Sequence, residues 1–209
     1  MSKEGLHSLM LASEVEQLYK ELSSEFSSML TQYNLSCPTG CSNCCTKTDI
    51  EASVLEFLPF AKYVYETHQE EYFYSLLDQN ISGECILHDL MNKRCSAYPY
   101  RGLICRLFGF SFSDDKFGNP RVISCKLLKT EKADFFNRVL VGEIDKNELI
   151  YINKVYLKLM ELDPVLGTKR YPLNYAIRLA LDKIGTALYY NSFDDNNNNN
   201  TNNNIPKAS

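Results

Sequence analysis

The sequence has no block of lysine or arginine: 22 basic residues are interspersed with 26 acidic ones, for a formal net charge of −4. Phosphate neutralisation needs clustered cations, so nucleic acid is not an expected partner. There is also no apolar run of the roughly 18–20 residues that spans a bilayer, so no membrane is expected either. The first residues lack the pattern of an export signal, with His7, Glu14 and Glu16 standing where an apolar run belongs. The expected location is therefore cytoplasmic, where thiols stay reduced. No phosphate loop, nucleophile–base pair or paired carboxylates stand out, and no internal repeat appears. Glu51 and Glu56 read as ordinary solvent-facing glutamates of a helix. These absences leave no reaction class in view.

What the chain does have is cysteine, eight residues in all, and every one lies between positions 37 and 125. Cys37, Cys41, Cys44 and Cys45 crowd into nine residues; Cys85, Cys95, Cys105 and Cys125 follow at wider intervals. Thiolates gathered this closely repel one another and oxidise unless a cation sits among them, and a metal ion or cluster is the simplest such cation. In a reducing compartment such a set points to metal ligation, whereas export would make four disulfides the better reading. Cys41 and Cys44 are three apart and Cys41 and Cys45 four apart, so one helical turn would place them on one face. Gly40 would let backbone approach a sulfur closely. All eight cysteines are therefore candidate ligands for zinc or iron, with a [4Fe–4S] cluster as one form of the iron.

Along the chain, Leu11, Val15, Leu18, Leu22, Phe26, Met29 and Tyr33 recur at spacings of three and four and predict one long amphipathic helix over 6–33. Asn34, Pro38 and Gly40 end it. A short helix is expected from Thr48 or Asp49 to about Leu58, and a second from Phe60 to about Leu77 with Pro59 in its first turn. Residues 80–125 are punctuated by glycine and proline; Phe108–Phe112 and Val122–Ile123 are expected to pair as a hairpin around Asp114–Asn119. Helical spacing returns at Phe135–Leu140, at Asn147–Leu162 and after Pro172. The expected architecture is mainly α: a single helical domain over 1–193, with a cysteine-rich, metal-stapled loop region at 37–125 and one short β-hairpin. Residues 194–209, with eight asparagines between Asn196 and Asn204, are expected to form a disordered tail.

Read in order, the cysteines run C-x3-C-x2-C-C, then Cys85, then Cys95-Ser96-Ala97-Tyr98-Pro99-Tyr100-Arg101-Gly102-Leu103-Ile104-Cys105-Arg106. This resembles the YkgJ-like CxxCxxCC cysteine-cluster family, named for zinc or iron chelation. Cys95, Tyr98, Arg101, Cys105 and Arg106 fall on the family's second segment at its spacing. Cys85 and Cys125 match its intermediate and trailing cysteines. Gly102 departs from the pattern, since proline is usual there. The resemblance implies a metal-binding protein and, for Arg101 and Arg106, guanidinium groups that offset the charge of a thiolate-bound centre. A similar cluster in flagellin lysine methylases implies the alternative of an iron–sulfur protein serving an enzyme that modifies a protein substrate.

Three competing readings attach to parts of the same stretch. Cys37-x3-Cys41-x2-Cys44 matches the triad of radical SAM enzymes, but no repeated βα units follow it. Cys41-Ser42-Asn43-Cys44 has the spacing of a redox dithiol without the preceding strand such motifs use. His88, three residues after Cys85, is a candidate nitrogen ligand, although a lone histidine is more often a hydrogen-bonded surface residue. His7 and His68 take no special role, and Tyr98 reads as packing.

Overall fold

The apolar stripe of the first helix is long enough to organise the whole chain around it. In the computed structural model, which describes residues 3–38 and 41–201, helix α1 spans Lys3–Gln32 and buries Leu11, Ala12, Val15, Tyr19, Leu22 and Met29. It ends where Asn34 adopts a left-handed backbone, φ 49°. There the Leu35 amide donates to Leu30 O at 2.8 Å and the Asn34 amide to Thr31 O at 3.2 Å. This pair of bonds closes the last turn and releases the chain toward the cysteines. The expected backbone approach at Gly40 lies outside the described residues.

The short helix expected from residue 48 or 49 does not form. Glu51–Ser53 is instead strand β1, a 3-10 turn covers Leu55–Phe57, and helix α2 spans Leu58–Glu66 with Pro59 in its first turn. Ala52 and Ser53 are wholly buried because β1 pairs antiparallel with β6, introduced below, and long-range pairing overrides the local helical spacing. The second expected helix is split. Residues 67–69 break it, with His68 at φ 53°, the Gln69 amide donating to Val64 O at 2.9 Å and the His68 amide to Tyr65 O at 3.2 Å. Helix α3 then runs over Glu70–Gln79.

The cysteine-rich stretch is built from very short pieces. Strands β2 (His88–Asp89) and β3 (Arg94–Cys95) pair antiparallel, a 3-10 turn covers Tyr98–Tyr100, and helix α4 spans Leu103–Leu107. The expected hairpin is present as β4 (Ser111–Asp114) against β5 (Pro120–Ile123). Its turn is tied by the Asp115 carboxylate, which accepts from the amides of Phe117 and Asn119, each at 2.8 Å. Phe112 of β4 packs edge-on to Phe135 and Phe136, which fixes the hairpin to the following helices.

The short helix expected at Phe135–Leu140 is α6 (Ala133–Leu140), and an unexpected helix, α5 (Lys126–Glu131), precedes it. Helix α7 begins at Ile152, later than its periodicity suggested, and runs to Leu162. The delay arises because Lys146–Glu148 forms a 3-10 turn and Ile150 O then accepts from the Phe112 amide at 2.9 Å, with Leu149 and Tyr151 on either side extended. Asp163 caps the short helix α8 (Pro164–Thr168), strand β6 covers Arg170–Pro172, and helix α9 runs over Leu173–Thr201. The backbone of α9 thus continues into the asparagine run; side chains beyond Tyr190 and all of residues 202–209 lie outside the described residues.

The architecture is mainly α, with nine α-helices and three two-stranded antiparallel sheets among the described residues. Helices α1, α2 and α9 enclose the centre of the core, where Phe60, Ala61, Val64, Ile177, Ala180, Leu181 and Ile184 are fully buried. No described helix is long and apolar enough to cross a membrane.

Candidate metal centre

Three separate segments bring thiols to one cavity of about 920 Å³, on which Cys37, Cys41, Cys44, Cys45, Cys85, Cys95 and Cys105 all open. The first segment is not the helical turn its spacing suggested. Residues 43–46 form hydrogen-bonded turns in which the Cys45 amide donates to Ser42 O at 2.8 Å and the Lys47 amide to Cys44 O at 3.4 Å. Backbone then joins the segments. The Cys85 amide donates to Cys45 O at 3.2 Å, and β2 places His88 opposite Cys95 on β3. Cys105 sits in the first turn of α4, its amide on Gly102 O at 3.1 Å. Cys125 is the exception. It does not line the cavity, and its sulfur caps α5 by accepting from the Leu128 amide at 3.4 Å.

The electrostatics show which thiols face one another. Cys44 is held well below the usual thiol range, chiefly by the Cys45 thiol donating to it and further by the Arg101 guanidinium, against the opposing effect of burial. Cys45, as that donor, is pushed up. Burial pushes Cys85 up to about 12 and raises Cys95 and Cys105 as well. Cys105 also feels Cys85, Cys44 and Cys95. Cys37 is raised by burial and by Cys41, Cys125 and Cys44. An inner group of Cys44, Cys45, Cys85, Cys95 and Cys105 thus shares one field, with Cys37 and Cys41 toward the solvent side. Among the described residues, no three histidine, cysteine or acidic side chains close on a single point. The fit to a metal is therefore one of donor chemistry. All eight cysteines are free thiols, and most of those on the cavity resist ionising while no cation is near. A thiophilic cation would remove that resistance for several at once.

The two arginines expected near the centre part company. Arg101 lines the cavity, stacks on the Tyr98 ring at 3.9 Å and keeps a buried Nε without a hydrogen-bond partner. Its charge favours the thiolates of Cys44 and Cys95. Arg106 turns the other way. Its Nε donates to Arg101 O at 2.9 Å, another nitrogen reaches Pro99 O, and the guanidinium covers the Tyr19 ring at 4.3 Å. It braces the turn before α4 against α1. His88 places Nε2 2.9 Å from Ser42 Oγ and leaves Nδ1 buried without a partner.

Gly102, where the family pattern has proline, has a steric reason. A Cβ at this position would lie 2.7 Å from the ring of Phe57. Glu56, read from sequence as solvent-facing, is fully buried beside the cavity wall and paired with Arg170 at 2.9 Å. The signal for it was present in Val54-Leu55-Glu56-Phe57-Leu58-Pro59-Phe60-Ala61, a single carboxylate inside an apolar run.

Residues 36–133 match the model of the CxxCxxCC family, titled "Putative zinc- or iron-chelating domain". That stretch, a little under half of the chain, is similar to the CxxCxxCC domain. The matched span contains all eight cysteines and stops well short of Arg170, so the C-terminal helices lie beyond it. Metal binding is the general function this match supports. No curated protein and no solved structure matches the chain.

Proposed function

We propose that the protein chelates zinc or iron in one centre assembled across the three segments, with ligands drawn from Cys44, Cys45, Cys85, Cys95 and Cys105. Cys37 and Cys41 stand at its mouth, and Cys125, near Cys37 but outside the lining, caps α5. The observation that carries this reading is the opening of seven cysteines, 68 residues apart at the extremes (Cys37 to Cys105), onto one cavity. A metal joining such distant segments closes a long loop and so stabilises more than one closing the nine-residue motif alone. Arg101 offsets the negative charge that thiolate ligands bring. When bound, the metal supplies charge neutralisation and fixed distances between the segments.

A second reading is an iron–sulfur centre serving an enzyme, with a protein substrate or partner. The size of the cavity favours it: about 920 Å³ is far more than a single ion fills and lies in the range typical of small-molecule sites, about 300–1,000 Å³. Purification of the full chain without oxygen, followed by elemental analysis and an absorbance spectrum, tests both. Zinc near one equivalent with no visible band supports the first reading. Iron with sulfide and a brown chromophore supports the second. Metal far below one equivalent, with every thiol free to titrate, overturns the proposal.

A further inference from the structure

The carboxylate of Glu56 is buried in the wall behind Cys105, and nothing in the cysteine pattern accounts for it. Its Oε1 accepts from the Ser53 amide at 2.9 Å, Ser53 Oγ at 3.2 Å and Arg170 Nη1 at 2.9 Å. Its Oε2 accepts from the Ile104 amide at 3.0 Å, the residue immediately before Cys105. Arg170 in turn donates to Glu51 O at 2.6 Å and to the Tyr156 hydroxyl at 3.1 Å. A buried charge is tolerated only when paired and hydrogen-bonded in this way.

The reason this device sits here is that α4 cannot cap itself. Its N-cap residue is Gly102, which offers no side-chain acceptor, and Phe57 leaves no room for one. The Cys105 and Arg106 amides both turn to Gly102 O, at 3.1 and 3.2 Å. The Ile104 amide would be an orphan donor without Glu56. The cap for the helix that carries Cys105 therefore comes from a residue beside Phe57 on a distant segment, and it is held in place by Arg170 of β6.

We propose that Glu56 is a positioning residue of the metal centre: with Arg170 it caps α4 from a distance and so sets the direction of the Cys105 sulfur. The C-terminal part of the chain, beyond the matched domain, thereby takes part in metal binding. This rests on Cys105 being a ligand, as proposed above.

The test uses the full chain, reduced and metal-free, titrated with Co(II), whose thiolate-to-metal absorption reports how many sulfurs ligate. Glu56→Gln keeps the shape but cannot accept from both Arg170 and Ile104. It is expected to weaken Co(II) binding about tenfold and to lower the absorption by the same share as Cys105→Ser. The double variant should lose no more than Cys105→Ser alone. Should Glu56→Gln not fold, Arg170→Lys, which keeps a charge beside Glu56 but loses the fork, is expected to give the same pattern at smaller size. Losses that add in the double variant, or an unchanged absorption in Glu56→Gln with Cys105→Ser impaired, overturn the inference alone. Unchanged binding in Cys105→Ser overturns the assignment of the ligand, and the inference with it.

Discussion

Helices α1, α2 and α9 and the cysteine-bearing segments, Cys41–Cys45 and Cys85–Leu107, are built on different physics. In the helical part, Leu11, Val15, Phe60, Ile177 and Ile184 remove their side chains wholly from water, and burial of this kind stabilises by about 1.5–3 kcal/mol per large side chain. In the cysteine part, two strands are two residues long, one helix has five residues, and of the eight thiols only Cys85 is buried. The first region folds because its own apolar stripes meet. The second has a small apolar footing in Leu87, Ala97, Leu103 and Leu107, short backbone bonds such as Cys85 to Cys45 join its pieces, and most of its thiols face the cavity. On the proposed reading, removal of metal is expected to leave this shell folded and to loosen mainly the residues around the cavity.

The comparison breaks most severely if the shell is damaged. Phe60→Ala, at a fully buried site packed edge-on to Phe73, is expected to cost about 3–5 kcal/mol in denaturant unfolding, with or without metal. A cost confined to the metal-bound form would mean the shell depends on the centre. Next in size is Gly102→Pro, which restores the family's usual residue. The backbone allows it, since Gly102 has φ −61° and Arg101 before it is extended. The ring of Phe57 does not, so a loss of about 1–3 kcal/mol is expected, relieved by Phe57→Leu in the same chain.

A smaller effect sharpens the electrostatic side. In metal-free reduced protein, Cys44 is expected to be alkylated at a lower pH than Cys45, Cys85, Cys95 and Cys105, because the Cys45 hydrogen bond and Arg101 favour its thiolate. The sign follows from its lowered value: acidification protonates Cys44 last of these, and raising the pH exposes its nucleophile first. Arg101→Met should move the onset of that reaction to higher pH, as read by mass spectrometry of the modified peptide. The smallest effect belongs to the tail. Ending the chain after Phe193 should leave melting temperature and metal content unchanged, because the asparagine run, although α9 continues into it, offers little apolar surface to bury against the core.

Much of the shell was legible in the sequence because helical periodicity is local. The stripe from Leu11 to Tyr33 announced α1, and the glycine-punctuated run after Phe108 announced the β4–β5 hairpin. Strand β1 was not legible: three residues with a partner strand more than a hundred positions away leave no local pattern, so Val54, Leu55 and Leu58 read as helix. The break at His68 was hidden for a related reason, since the left-handed residue is not a glycine. At the site, cysteine spacing pointed to the thiols, and the family resemblance pointed to Arg101, which lines the cavity. It did not distinguish Arg106, whose guanidinium braces backbone instead, because both arginines share one motif. The apolar run around Glu56 signalled its burial, but its partners, Ile104 and Arg170, are distant in the chain, so its capping role was not legible.

The central claim is that sulfurs from separate segments hold one centre together, and metal content of four chains tests it directly. Wild type, Cys44→Ser, Cys105→Ser and the double variant are purified without oxygen, and metal is measured per folded chain. One shared centre predicts that each single variant loses a full equivalent and that the double variant loses no more than the worse single. Full metal retention in Cys105→Ser, or losses that simply add, would show that the motif at residues 37–45 binds by itself and would contradict the account.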